Sequence, residues 1–239
     1  VTVTAYWRPA TLAEALELLE RPTATVLAGG TRLNTLASEQ TREVVDLQAI
    51  GLDGFDTGPG DTVRVGAMAS LQQLVDSDLP GIIREAARRE LPSTLRSQAT
   101  LGGCIVTGES ESELLAALLV HEASVELASR RGAESVPLEA LLDRLPLPLG
   151  DVVVALTVVT SGESAAARTA RTPADRPIVA ACARATADGL RVAVAGVGQT
   201  PVLHVPGAAL HPRDDFRGNG DYRRALADVL VARVVKEVS

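Results

Sequence analysis

Two short runs in this chain set a pair of glycines after an apolar residue and beside a hydroxyl: "LAGGT" (27–31) and "TLGGC" (100–104). Adjacent glycines let a backbone turn tightly and approach a ligand with no Cβ in between. Successive amides can then converge on an anion, and the Thr31 or Thr100 hydroxyl can add a donor. Two such bends could hold the two phosphates of a dinucleotide. The plainer alternative is a pair of strand-terminating turns.

Other chemistry is hard to find. No G-x-G-x-x-G occurs, because the runs starting at Gly58, Gly196 and Gly218 all lack the third glycine. A G-x-x-x-x-G-K loop is excluded, since Lys236 is the sole lysine. There is no G-x-S-x-G elbow for a nucleophilic serine. His121, His204 and His211 are too scattered to propose a triad or a metal site, and Cys104 and Cys182 form neither a C-x-x-C motif nor a disulfide framework. No acid–base catalyst and no metal ligand is therefore assigned.

Composition narrows the partners. Of 239 residues, 46% are hydrophobic and 22% charged, an ordinary globular balance, but only 2% are aromatic. The core must be aliphatic, and the stacking platforms used by single-strand nucleic-acid binders are missing. A net charge of −7 disfavours duplex DNA or an anionic membrane as partner. Apolar runs such as "LLAALLV" (114–120) fall far short of the ~20 residues a membrane span needs. The opening "VTVTAYWRPA" lacks the basic start and apolar run of a secretion signal, so a cytoplasmic location is expected.

The elements that must position the glycines come next. A helix starts at "TLAEALELLE", where Thr11 caps and Glu14 completes a capping box, with Leu12, Ala15, Leu16 and Leu19 on one face. Pro22 stops it. "TATVL" (23–27), "EVVDL" (43–47) and "DTVRVGA" (61–67) are expected strands, and 71–90 is expected to be helical. After the second glycine pair comes a helix with Leu114, Leu115, Leu118 and Leu119 as its apolar face and Ser110 or Ser112 as its cap. "SVELAS" (124–129) is an expected strand, with "RRGAE" as the turn after it. The proline-spaced "LLDRLPLPLGD" (141–151) suggests a domain boundary near 150. Beyond it, "DVVVALTVV", "PIVAACARAT" and "LRVAVAGVG" suggest three antiparallel strands, the last two joined at Asp188-Gly189. A final helix follows, with Leu226, Val229, Leu230 and Val234 as its stripe.

In their order, these pieces resemble the FAD-binding medium subunits of molybdenum hydroxylases, the family of bacterial carbon monoxide dehydrogenase and xanthine dehydrogenase flavoprotein subunits. The likeness runs through "YWRPATLAEALELL", "VLAGGTRL", "VVDL", "VRVGAMASLQQL", "LRSQATLGG", "RTPADRPIVAA" and "FRGNGDYRRALADVLVARVV". It implies an α+β fold. Two small α/β FAD-binding subdomains of the PCMH/VAO-like type (about 1–52 and 53–150) would precede a C-terminal domain (151–239) with a three-stranded antiparallel sheet and a helix. It implies that Val26, Leu27, Ala28, Gly29, Gly30, Thr31, Arg32 and Leu33 wrap the FAD pyrophosphate. Thr100, Leu101, Gly102, Gly103 and Cys104 would form a second wall, Val65 would lie on the adenine side, and Glu113 would reach cofactor hydroxyls. Composition alone allows Glu113 to be a first-turn acid favoured by the helix dipole.

The same resemblance implies a role in electron transfer. Electrons would reach FAD from an iron–sulfur small subunit, after substrate oxidation on a molybdopterin large subunit, and leave to an acceptor such as NAD or quinone. Three features depart from the family pattern: Cys104 stands where Asn or Asp is usual, "ELL" (113–115) replaces an Asp-Leu-Pro start, and the C-terminal domain is short. They motivate the alternative of a flavin-free scaffold subunit. A stand-alone flavin oxidase is a third alternative.

Overall fold

The computed structural model describes residues 2–33 and 41–239. The chain opens with β1 (Thr2–Trp7), α1 (Leu12–Leu19), β2 (Ala24–Leu27) and β3 (Thr41–Asp46). These strands form a parallel sheet in the order β1-β3-β2, which leaves β2 as an edge. Thr11 caps α1 by accepting from the Glu14 amide at 3.2 Å, while the Glu14 carboxylate reaches back to Ala10 rather than Thr11. β1 is an addition to the expected elements. Its alternation of Val, Thr, Tyr and Trp is a strand signal.

The middle of the chain contributes β4 (Phe55–Thr57), β5 (Thr62–Gly66), α2 (Leu71–Asp76), α3 (Gly81–Glu90), α4 (Ser93–Arg96), α5 (Leu101–Thr107) and α6 (Glu113–Val120). It continues with β6 (Ser124–Ser129), β7 (Gly132–Pro137), α7 (Leu138–Asp143) and β8 (Val152–Val159). The strands make a five-stranded antiparallel sheet in the order β4-β5-β8-β6-β7. Three expectations are corrected here. The helical stretch 71–90 is two helices, because Pro80 cannot donate an amide and disfavours helix at the residue before it. "RRGAE" is not only a turn but the start of β7, which pairs with β6 from Ser129↔Gly132 to Ser124↔Pro137. Finally, β8 lies at the centre of this sheet, between β5 and β6, rather than with the antiparallel strands that follow it.

The last part holds β9 (Ser164–Thr169), β10 (Val179–Thr186), β11 (Gly189–Ala195), β12 (Val202–Leu203) and α8 (Gly220–Val238). Its antiparallel sheet runs β12-β11-β10-β9, four strands rather than three. "DVVVALTVV" belongs to the preceding sheet, and "SAAART" supplies β9 in its place. The hairpin at Asp188-Gly189 forms with Thr186 opposite Gly189, whose φ of +127° suits glycine. On α8 the buried line is Arg223, Ala227, Leu230, Val234 and Val238, whereas Val229 is exposed.

α6 ties the halves together. Every one of its residues from Leu114 to Val120 is buried, so it has no polar face. A helix apolar all round belongs in a core. It packs against α3 on one side and the β10–β11 sheet on the other. Ser112 caps it, holding the Leu115 amide at 3.1 Å, and Ser110 instead donates to the Gly198 carbonyl at 2.6 Å.

Candidate cofactor site

The two glycine pairs meet. Gly29 lies against the backbone of Gln98 and Ala99, immediately before the second pair. Both pairs line one cleft of about 730 Å³. The connector 146–153 also lines it, with Leu147 and Leu149 among its apolar residues.

The first loop offers donors. β2 is an edge strand, so the Val26 and Ala28 amides point away from β3. Past the end of β2 the ladder lapses. Among the described residues, the amides of Ala28, Gly29, Gly30 and Thr31 have no acceptor within the chain. Gly30 has φ of +70°, a conformation in which a side chain is strained. Unpaired amides in a turn of this kind form a concave anion site.

The second pair behaves differently. Gly102 and Gly103 are not in a bend but in the first turn of α5, which Thr100 caps. Their amides are engaged: Gly102 donates to the Ala67 carbonyl at 2.8 Å, and Gly103 to the Thr100 hydroxyl at 3.2 Å. A Cβ on Gly102 would stand 2.9 Å from that of Ala67. Here glycine lets the helix seat closely on the segment after β5.

Residues 2–158 match the family described as FAD binding domain in molybdopterin dehydrogenase. The chain belongs to that family. It is an FAD-binding oxidoreductase subunit, and the cleft fits that cofactor, with unpaired amides for a diphosphate beside a long apolar wall. The protein YgfM of Escherichia coli is 33% identical over 248 residues, which span 95% of this chain and 93% of its own. The xanthine dehydrogenase FAD-binding subunit of Escherichia coli is 31% identical over 143 residues, 56% of this chain and 49% of that one. The solved structure of the Cu,Mo-CO dehydrogenase in its cyanide-inactivated form superposes with a TM-score of 0.85 at 25% identity, covering 100% of this chain and 98% of that one.

Of the residues expected to bind FAD, Val26 to Leu33 and Thr100, Gly102, Gly103 and Cys104 line the cleft of this FAD-binding chain. Three others do not. Val65 is buried in β5, where it pairs with Leu156 of β8. Leu101 is buried in the core beneath α5. Glu113 is also buried, with one carboxylate oxygen 3.1 Å from Arg89 and the other 3.3 Å from Arg168 of β9. It joins the two halves of the chain rather than facing the cleft. Burial pushes its carboxyl up from the ordinary range, and Arg89 and then Arg168 pull against that.

Cys104 is half-buried and lines the cleft. Desolvation pushes its thiol well up, and the nearby Glu90 adds to this. It is a neutral packing group here rather than a reactive thiolate. Glu90, Glu109 and Arg176, not expected from the sequence, also line the cleft. Nothing in their local spacing marks them, since the three come from different loops and helix ends.

Proposed function

We propose that this chain is the electron-transfer flavoprotein subunit of a molybdenum-containing hydroxylase. Its partners are an iron–sulfur small subunit and a molybdopterin large subunit, and it delivers electrons to an acceptor such as NAD or quinone. The observation that carries the reading is the run of unpaired amides at Ala28–Thr31, in a loop that lines the same cleft as the start of α5. The relatives whose names mark them as parts of xanthine and carbon monoxide dehydrogenases support it.

Bound FAD supplies the redox chemistry, and the protein supplies binding, orientation and exclusion of water. The amides of Ala28 to Thr31 hold the diphosphate, Gly102 and Gly103 let it approach α5, and Leu147 and Leu149 shield it from solvent. The chain needs no acid–base residue of its own for this task.

The test is purification of the full chain, alone and co-expressed with candidate small and large subunits. A yellow protein that releases FAD on denaturation, and whose flavin is reduced only when the other subunits and their substrate are present, is the expected result. A protein that stays colourless in the assembled complex supports the flavin-free scaffold instead.

A further inference from the structure

The fold poses a charge problem. A diphosphate carries negative charge, yet only the first glycine loop has amides to spare, because those of the second are used within the chain. The sole lysine, Lys236, is in α8, outside the cleft. Cations in the cleft must come from arginine.

Two arginines are placed for this. Arg32 follows the first glycine loop and pairs with Glu109 at 2.6 Å. Arg176 comes from the segment between β9 and β10, beyond the residues that match the FAD-binding family. It reaches back across the domain boundary to the other Glu109 oxygen at 3.4 Å, and to Glu90 at 3.8 Å. One carboxylate thus holds two guanidiniums on the wall of one cleft. Glu109 is partly exposed, with 23% of its side-chain surface accessible, so the pairs can exchange partners in water. Guanidinium binds phosphate oxygens in the same forked manner as carboxylate oxygens.

Resting on the reading above, we infer that Arg32 and Arg176 are diphosphate-binding residues, and that Glu109 is the internal anion that holds them in place until the cofactor's diphosphate takes over. The C-terminal domain then completes the FAD site rather than merely flanking it. The surface of Arg32 is 61% exposed, so its pair with Glu109 is cheap to break. Arg176 is more enclosed, at 28%, and its geometry is set by Glu90 as well.

The experiment measures FAD and riboflavin dissociation constants on the whole apo chain by flavin fluorescence, across a range of salt. Arg32→Gln and Arg176→Gln are each expected to weaken FAD about tenfold and flatten its salt dependence. Riboflavin, which has no phosphate, should be unaffected. Glu109→Gln should tighten FAD at low salt, since it removes the competing anion. Wild-type FAD binding with unchanged constants in Arg32→Gln and Arg176→Gln overturns this inference and leaves the flavoprotein reading standing. A wild-type chain that binds no FAD overturns both. If Arg176→Gln does not fold, the exposed Arg32→Gln and Glu109→Gln decide the matter on the same readouts.

Discussion

Gly29 lies flat on the carbonyl of Gln98: a Cβ there would stand 1.7 Å from the oxygen and 2.5 Å from its carbon. The two backbone segments are 69 residues apart in sequence, and their contact brings the first loop onto the entry to α5. Because the obstruction is backbone, no rotamer change relieves it.

Gly29→Ala is therefore expected to push the loop off α5, destabilising the chain by about 2 kcal/mol and abolishing flavin retention. Gly54→Ala is the control, since nothing lies within 4 Å of a Cβ there. Thermal melting and the flavin-to-protein ratio check both. Equal retention by the two variants would remove the contact from any role in the site.

Glu113→Gln separates an architectural role from a cofactor role. Removing the charge leaves Arg168 without its carboxylate partner, with the Pro173 and Asp175 carbonyls as its remaining acceptors. A loss of about 2 kcal/mol is expected, below the range for a fully buried pair because Arg89 is a third exposed. FAD stoichiometry at low temperature should be unchanged. A variant of full stability that loses flavin would return Glu113 to the cofactor's surroundings.

Both thiols should be silent in the native chain. Cys182 is wholly buried, and burial raises the thiol pKa of Cys104 and of Cys182. A thiol-disulfide exchange reagent at mildly alkaline pH should modify two cysteines per chain in denaturant, and neither rapidly without it. Fast native modification at Cys104 would show that its thiolate is accessible.

His121 gives a pH dependence. It is fully buried, its Nδ1 lies 2.7 Å from the Val159 carbonyl, and burial lowers its pKa to about 4. That distance assigns the proton to Nδ1. The folded pKa is below the unfolded one, so as pH falls below about 6.5 the unfolded chain takes up the proton first. Stability from this group is intact at neutral pH, falls between about 6.5 and 4, and then levels off. By pH 5 the loss is about 2 kcal/mol. His121→Asn keeps a donor towards Val159 without titrating, so the difference between its pH profile and that of wild type isolates the effect. Parallel profiles would show that His121 is not the group responsible.

Much of the local structure was legible. The Thr11 cap, the Ser112 cap, the hairpin at Asp188-Gly189 and the final helix all follow from interactions within a few residues of each other. The misses share a different cause. The sequence suggests β8 as part of the C-terminal sheet because a strand's residues do not say which sheet it joins. Its partners, β5 and β6, lie tens of residues away, and each is itself marked as a strand by its own sequence. β9 carries no strand signal in its sequence, because "SAAART" is poor in the β-branched and aromatic residues that mark strands. Glu113 has partners that its local sequence does not reveal, Arg89 of α3 and Arg168 of β9.

The sequence by itself determined that two glycine pairs, one capped helix and an aliphatic core would be present, since φ preference, capping and hydrophobic periodicity are local properties. Only the tertiary structure decided which glycine amides remain unpaired and which are consumed. An amide is free or engaged according to what backbone the fold lays beside it. In the same way, Arg176 becomes part of the cleft only because α6 packs the C-terminal sheet against α3, bringing a distant guanidinium to the Glu109 carboxylate.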